Sequence, residues 1–263
     1  MRRSIRRLAE RLSRDLVLER RLPAKLGGAT IVVTPDAALK LWRYHLYRFH
    51  PVLFDAAAEL VFFGARVWDV GANVGLFAFA ASYLAGAKGK VHAIEPDPFL
   101  ASLLRRSAAL QSHDRAPVEV IEAAATLESG TVELSIARRG RAANHLVIVK
   151  GSSQAGGVRT VVKVAAVTLD GMLDTDPAPD VVKIDIEGAE VIALRGATRL
   201  LSESRPRIFC EVSPGNARAV GALLASFDYD VLDASVPKTE RSPLAVAPWN
   251  TLAIPRPRER RPT

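Results

Sequence analysis

Apolar residues along the chain fall into short blocks of two alternating kinds. Those at 67–70, 90–94, 118–121, 181–185, 207–212, 229–232 and 250–254 are rich in Val, Ile and Leu and are bounded by turn-forming or charged residues, which predicts strands. Between them, 74–87 is almost wholly apolar and predicts a buried helix. Pro98 opens another that runs to about Ser112, a further one begins at Ala189, and another covers 216–227. Strands alternating with helices describe an α/β domain.

One stretch interrupts the alternation. Ala123-Ala124-Ala125 follows the third strand, Ser129-Gly130 marks a turn, and 131–136 alternates polar and apolar residues as a half-buried strand does. Basic, Gly- and Ser-containing stretches at 138–144 and 151–157 flank a short apolar run at 146–149, and 158–167 returns as strand. This predicts a small β-rich insertion, about 129–167, above the carboxyl ends of the sheet strands, where it would act as a lid.

At the start, Ile5, Leu8, Leu12 and Leu16 recur at three- and four-residue intervals among arginines, the pattern of a basic amphipathic helix over 1–22. Such a helix either packs on its own domain or a second subunit, giving a homo-oligomer, or lies on an anionic membrane surface. Residues 41–50 interleave aromatics with bases and read as packing or as part of an acceptor wall. The division is therefore a lead-in over 1–51, a catalytic domain over 52–254, and a Pro- and Arg-rich tail over 255–263 that is expected to be disordered.

Composition narrows the function. A chain of 263 residues with 49% hydrophobic content suits one domain with a large core. Its lone cysteine, Cys210, lies in an apolar run, so an intrachain disulfide is excluded and a buried thiol in a reducing, cytoplasmic setting is expected. No basic-then-apolar signal peptide opens the sequence, and the 74–87 run is too short to span a bilayer. The net charge of +8 sits at the ends, because residues 1–21 hold eight arginines against three acids and 254–263 hold four against one. The remainder is formally neutral and offers no field for a polyanion, so no nucleic-acid partner is expected.

The chemistry starts at Val67-Trp68-Asp69-Val70-Gly71-Ala72-Asn73-Val74-Gly75-Leu76-Phe77, a strand, a small-residue turn and a helix. Gly71 allows a sharp turn, Asn73 is placed to cap the helix, and Gly75 lets the helix sit close on the strand. A dinucleotide fingerprint needs glycine where Asn73 stands and gains nothing from the acid Asp69 beside a pyrophosphate. That acid suits a cationic ammonium group, as in S-adenosylmethionine (SAM). Glu95, ending the next strand about 20 residues on, can accept both ribose hydroxyls.

With these segments the chain resembles the FkbM family of class I SAM-dependent methyltransferases. The later Val167-Thr168-Leu169-Asp170 and Val182-Lys183-Ile184-Asp185-Ile186-Glu187-Gly188-Ala189-Glu190 carry the resemblance further, from about Val52 to near Ile254. It implies a Rossmann-like, seven-stranded, mostly parallel sheet with helices on both faces, and O-methylation of a hydroxyl on a small molecule, sugar or lipid-linked glycan. In the class I arrangement the turn holding Ala124 lines the adenine. The segment before Val52 has no matching motif.

Asp185 and Glu187 leave the central strand beside the cofactor loop, where one could serve as general base or the two could orient substrate and cofactor. Glu187 as a cap of the following helix is the structural alternative. His145 is a second base candidate, Asn144 a substrate-orienting amide and Glu211 a wall candidate. Carboxylates at a strand end could bind Mg²⁺ or Ca²⁺, but no metal ligand is assigned, and no His and Cys cluster suggests zinc. An NAD-dependent oxidoreductase is the alternative enzyme. A non-catalytic protein using its basic ends on a membrane or protein partner is the alternative of another class.

Overall fold

The computed structural model describes residues 16–42, 45–149 and 156–258. A seven-stranded sheet is built from β3 (Arg66–Val70), β4 (Lys90–Ile94), β5 (Val118–Ile121), β10 (Val181–Ile184), β11 (Arg207–Glu211), β12 (Tyr229–Asp233) and β13 (Asn250–Pro255). Their order across the sheet is β12-β13-β11-β10-β3-β4-β5. The four neighbouring pairs from β11 to β5 are parallel, and β13 runs antiparallel between β11 and β12. The last strand thus fills an interior position and leaves β12 at the edge.

Helices cover both faces because the strands bury side chains on both. In β11, Ile208 and Cys210 belong to one core cluster and Phe209 to the other. Phe209's layer is packed by α1 (Pro51–Leu60), α2 (Leu76–Ala85) and α3 (Pro98–Ala109), through residues such as Phe54, Phe77 and Leu104. The opposite layer is packed by α5 (Glu190–Arg195) and α6 (Ala217–Ser226), through Leu194 and Leu224 against Trp68 and Ile184. A one-turn helix, α4 (Leu169–Met172), precedes β10. This is the Rossmann-like α/β fold that the sequence resemblance implies.

Between β5 and β10 lies a second sheet of four strands, β6 (Ala124–Ala125), β7 (Gly130–Ala137), β8 (His145–Leu146) and β9 (Val158–Val167), in the order β6-β9-β7-β8. Only Leu146 of the 146–149 run is strand. The run turns away at once, and Val147 and Ile148 are exposed.

At the N-terminal side β1 (Leu18–Arg21) pairs antiparallel with β2 (Thr30–Val33), so these residues are not the end of a helix. The pairing decides this: β2 buries Ile31, Val32 and Val33, and Arg20 is inserted so that its guanidinium donates to the carbonyls of Glu19, Leu41 and Trp42. The proposed stripe at Ile5, Leu8 and Leu12 lies outside the described residues. No helix among those described is long and apolar enough to cross a membrane.

Candidate active site

Strand order reverses between β3 and β10, so the loops leaving these two strands diverge and open a crevice at their carboxyl ends. Gly71 holds the first loop against the second. Its φ is 76°, and a Cβ there would stand 1.9 Å from the Asp185 carbonyl oxygen. The Gly71 and Ala72 amides donate to the Ile94 carbonyl, at 2.9 and 3.0 Å, which draws the loop toward the end of β4.

Glu95 fastens that junction. Its Oε2 accepts from the Asn73 amide at 2.8 Å and its Oε1 from the Asp97 amide at 2.9 Å. Burial pushes its carboxyl up to about 7, against the pull of those amides. Asn73 itself is left-handed, with φ 54°, and does not cap the helix: α2 starts after Gly75 with no side-chain cap. Gly75 faces Phe79 and Leu104 rather than the strand. Asp69 supplies part of what a cap would, accepting from the Ala78 amide at 3.0 Å.

Asp69 is therefore not where the ammonium reading put it. Fully buried under the loop, its Oδ1 lies 3.0 Å from the Lys183 Nζ. Lys183, absent from the sequence reading as a site residue, also donates to the Gly71 carbonyl at 2.7 Å and lies 3.7 Å from Asp185. Burial alone would lower its pKa, but the surrounding carboxylates outweigh it and hold the ammonium above its ordinary value. Register explains the meeting, since Lys183 and Asp69 are direct neighbours across the parallel β10–β3 pair.

Above the loop lies a cavity of about 210 Å³. Gly71, Asn73, Glu95 and Ala124 line it, as do Asp185, Glu187, Glu211 and His145, so the structure gathers every proposed site residue except Asp69. Ala124 belongs to β6, so the small-residue stretch joins the cavity wall to the insertion sheet.

Glu187 adopts a left-handed φ of 44° and is followed by Gly188 at 99°, a sharp turn that presents two carboxylates in sequence to the cavity. Glu187 does not cap α5. Glu190 braces the turn instead, accepting from the Gly188 amide, the Ser213 hydroxyl and the Asn216 amide. Burial, then repulsion from Asp185, Glu211 and Glu190, pushes the Glu187 carboxyl up to about 8. Burial and Asp185 push Glu211 up to about 7. No group of three or more His, Cys, Asp or Glu among the described residues is arranged to hold a metal ion.

The insertion is anchored over this cavity by buried charge. Asp36 from the lead-in receives Arg141 at 2.9 Å and Arg159 at 2.7 Å, while Asp97 receives Arg141 and, at 2.8 Å, Asn144. Asn144 also accepts from the Ala137 amide, so its amide holds the lid rather than standing free for a substrate. His145 donates from Nδ1 to the Ala143 carbonyl at 3.1 Å, which leaves Nε2 with a lone pair. From the 41–50 segment Leu41 and His50 reach the cavity, joined by the preceding Lys40.

The sequence matches the Methyltransferase FkbM domain over residues 69–232, more than half of the chain and including the loops that leave β3 and β10. The chain belongs to the FkbM methyltransferase family. Among its relatives is the hexuronic acid methyltransferase AglP of Haloferax volcanii, 29% identical over 182 residues that cover 68% of this chain and 69% of that one. Similar solved structures include the methyltransferase FkbM of Methylobacillus flagellatus, with TM-score 0.44 and 18% identity, where the match covers 76% of this chain but only 49% of the other. Another is the precorrin-6y C5,15-methyltransferase of Geobacter metallireducens, with TM-score 0.45 and 14% identity, covering 77% and 84%. In this FkbM domain, the match takes in the loop after β3, Glu95 and the Asp185–Glu187 turn together.

Proposed function

We propose that this FkbM domain transfers a methyl group from SAM to a hydroxyl of a sugar or glycan. The observation that carries the reading is the cavity itself, where Glu95 and Asn73 on one side meet the carboxylates of Asp185, Glu187 and Glu211 on the other. Asn73 Oδ1 is buried there without a hydrogen-bond partner among the described residues, an acceptor that suits a ligand bearing N–H or O–H donors. Glu95, Asn73, the Gly71 turn and Ala124 would hold the cofactor, which when bound supplies an electrophilic methyl group. The sugar acceptor is favoured by the hexuronic acid methyltransferase among the relatives.

A hydroxyl acceptor must lose its proton as it attacks, and Glu187 is suited to take it. A carboxylate pushed up to about 8 is a far better base at neutral pH than an exposed one, although a smaller fraction is then ionised. Asp185 beside it sustains that basicity by repulsion and orients the acceptor. The lid of 140–146 and the lead-in cover the cavity and keep water from competing for the methyl group.

Calorimetric titration tests the cofactor assignment: SAM and S-adenosylhomocysteine should bind and NAD should not. Binding of NAD in place of SAM would overturn it. Labelled-methyl transfer into a glycan fraction then tests the acceptor class, with mass spectrometry of the product locating the new methyl group on oxygen or elsewhere. Glu95→Ala is expected to weaken SAM binding by roughly 1.5–3 kcal/mol, the scale for hydrogen bonds to a charged group. Unchanged affinity would remove Glu95 from the site.

A further inference from the structure

Among the described residues, three Lys and Arg side chains line the cavity: Lys40, Arg141 and Lys183. Two are already committed, Lys183 to Asp69 and the Gly71 carbonyl, and Arg141 to Asp36 and Asp97. Lys40 is different, for among the described residues its polar contact is with a ring nitrogen, His50 Nδ1 at 3.4 Å. An ammonium has no lone pair, so it donates and Nδ1 accepts, which leaves the proton of the neutral imidazole on Nε2. That Nε2 is buried and has no hydrogen-bond partner among the described residues.

The result is a pair of donors, one cationic and one an orphaned N–H, on the wall contributed by the lead-in. The His50 ring, just ahead of α1, is held in place by an edge contact with Phe54 of that helix, its centroid 6.3 Å away. Burial, then Lys40 and Lys183, push its pKa down to about 3, so it stays neutral and keeps this donor across the physiological range. An unpaired buried donor costs free energy that a ligand oxygen would return. The complement of a cation beside an N–H is an oxygen that only accepts and carries negative charge.

We propose that Lys40 and His50 form an acceptor subsite for an anionic oxygen, of a carboxylate or a phosphate, carried by the sugar whose hydroxyl is methylated. This rests on the reading of the cavity as a sugar methyltransferase site. The subsite selects the substrate and plays no part in bond making, so it acts on acceptor binding and not on cofactor binding. It also gives the lead-in, which lies ahead of the matched FkbM region, a role in specificity.

The test is saturation-transfer NMR on the full chain with S-adenosylhomocysteine bound, using methyl glucuronide, glucose 1-phosphate and methyl glucoside as probes. At least one anionic sugar should bind tighter than the glucoside by roughly tenfold or more, the glucuronide implicating a uronate and the phosphate a phosphorylated sugar. Lys40→Met, on an exposed residue, and His50→Phe, which keeps the ring, should each abolish that preference with S-adenosylhomocysteine affinity unchanged. Lys40→Arg should restore it. Equal binding of glucoside and anionic sugars overturns the subsite but leaves the sugar reading standing. If no sugar binds while S-adenosylhomocysteine does, both fail and the cofactor assignment survives. A preference that persists in both variants also overturns the proposal.

Discussion

Replacing Glu187 with Gln is expected to lower kcat roughly 10²–10⁴-fold while SAM affinity changes much less, because the substitution preserves shape and removes only the proton acceptor. The pH profile carries the sharper test. A base must be ionised to act, and the Glu187 carboxyl is pushed up to about 8, so kcat/KM should rise as pH passes upward through that value. In Glu187→Gln the rise should disappear. Asp185→Asn should instead move it to lower pH, since Asp185 is one of the charges holding Glu187 up. A chelator that abolished turnover, with Mg²⁺ restoring it, would mean that a metal acts with these carboxylates. If both variants keep near wild-type transfer, the base must be sought at His145, whose Nε2 lone pair is available. If either loses SAM binding outright, that carboxylate belongs to the cofactor pocket.

Features encoded within a few neighbouring residues were legible in the sequence. The turn at Gly71, Glu95 ending β4, and Asp185 with Glu187 after β10 all follow from local pattern, because a strand that ends in small or acidic residues has few ways to continue. What depends on distant pairing was not. Asp69 was read as facing a ligand because an acid beside a nucleotide loop suits a cationic ammonium, whereas Lys183 reaches it through the parallel register of β3 and β10. Periodicity at 1–22 favoured a helix, yet Leu18–Arg21 is drawn into strand by Thr30–Val33, since a partner's backbone outweighs a weak local preference. Asn144 looked like a free amide until the lid folded it onto Asp97. Lys40 carried no signal at all, for its proximity to His50 arises only when the lead-in packs against α1.

Lys183→Met is expected to cost about 3–5 kcal/mol of stability in urea unfolding, the largest structural effect of any single change at the site. The side chain is nearly the same length, so packing is retained while Asp69 is left as an uncompensated buried carboxylate and the Gly71 carbonyl loses its donor. Burial already pushes the Asp69 carboxyl up, and without Lys183 only the Ala78 amide opposes that push. A carboxyl whose folded pKa is raised favours the folded state only while it is protonated. The deficit of the variant should therefore shrink as pH is lowered and grow as pH rises through the folded value. Adding Asp69→Asn should recover much of the loss, because it removes the charge and keeps an oxygen for the Ala78 amide. A single variant within 1 kcal/mol of wild type, or a double variant as unstable as the sum of the two, would show that the pair is not coupled. The loop at Gly71 would then owe its position to the Ile94 carbonyl, to Glu95 and to the close approach of Asp185.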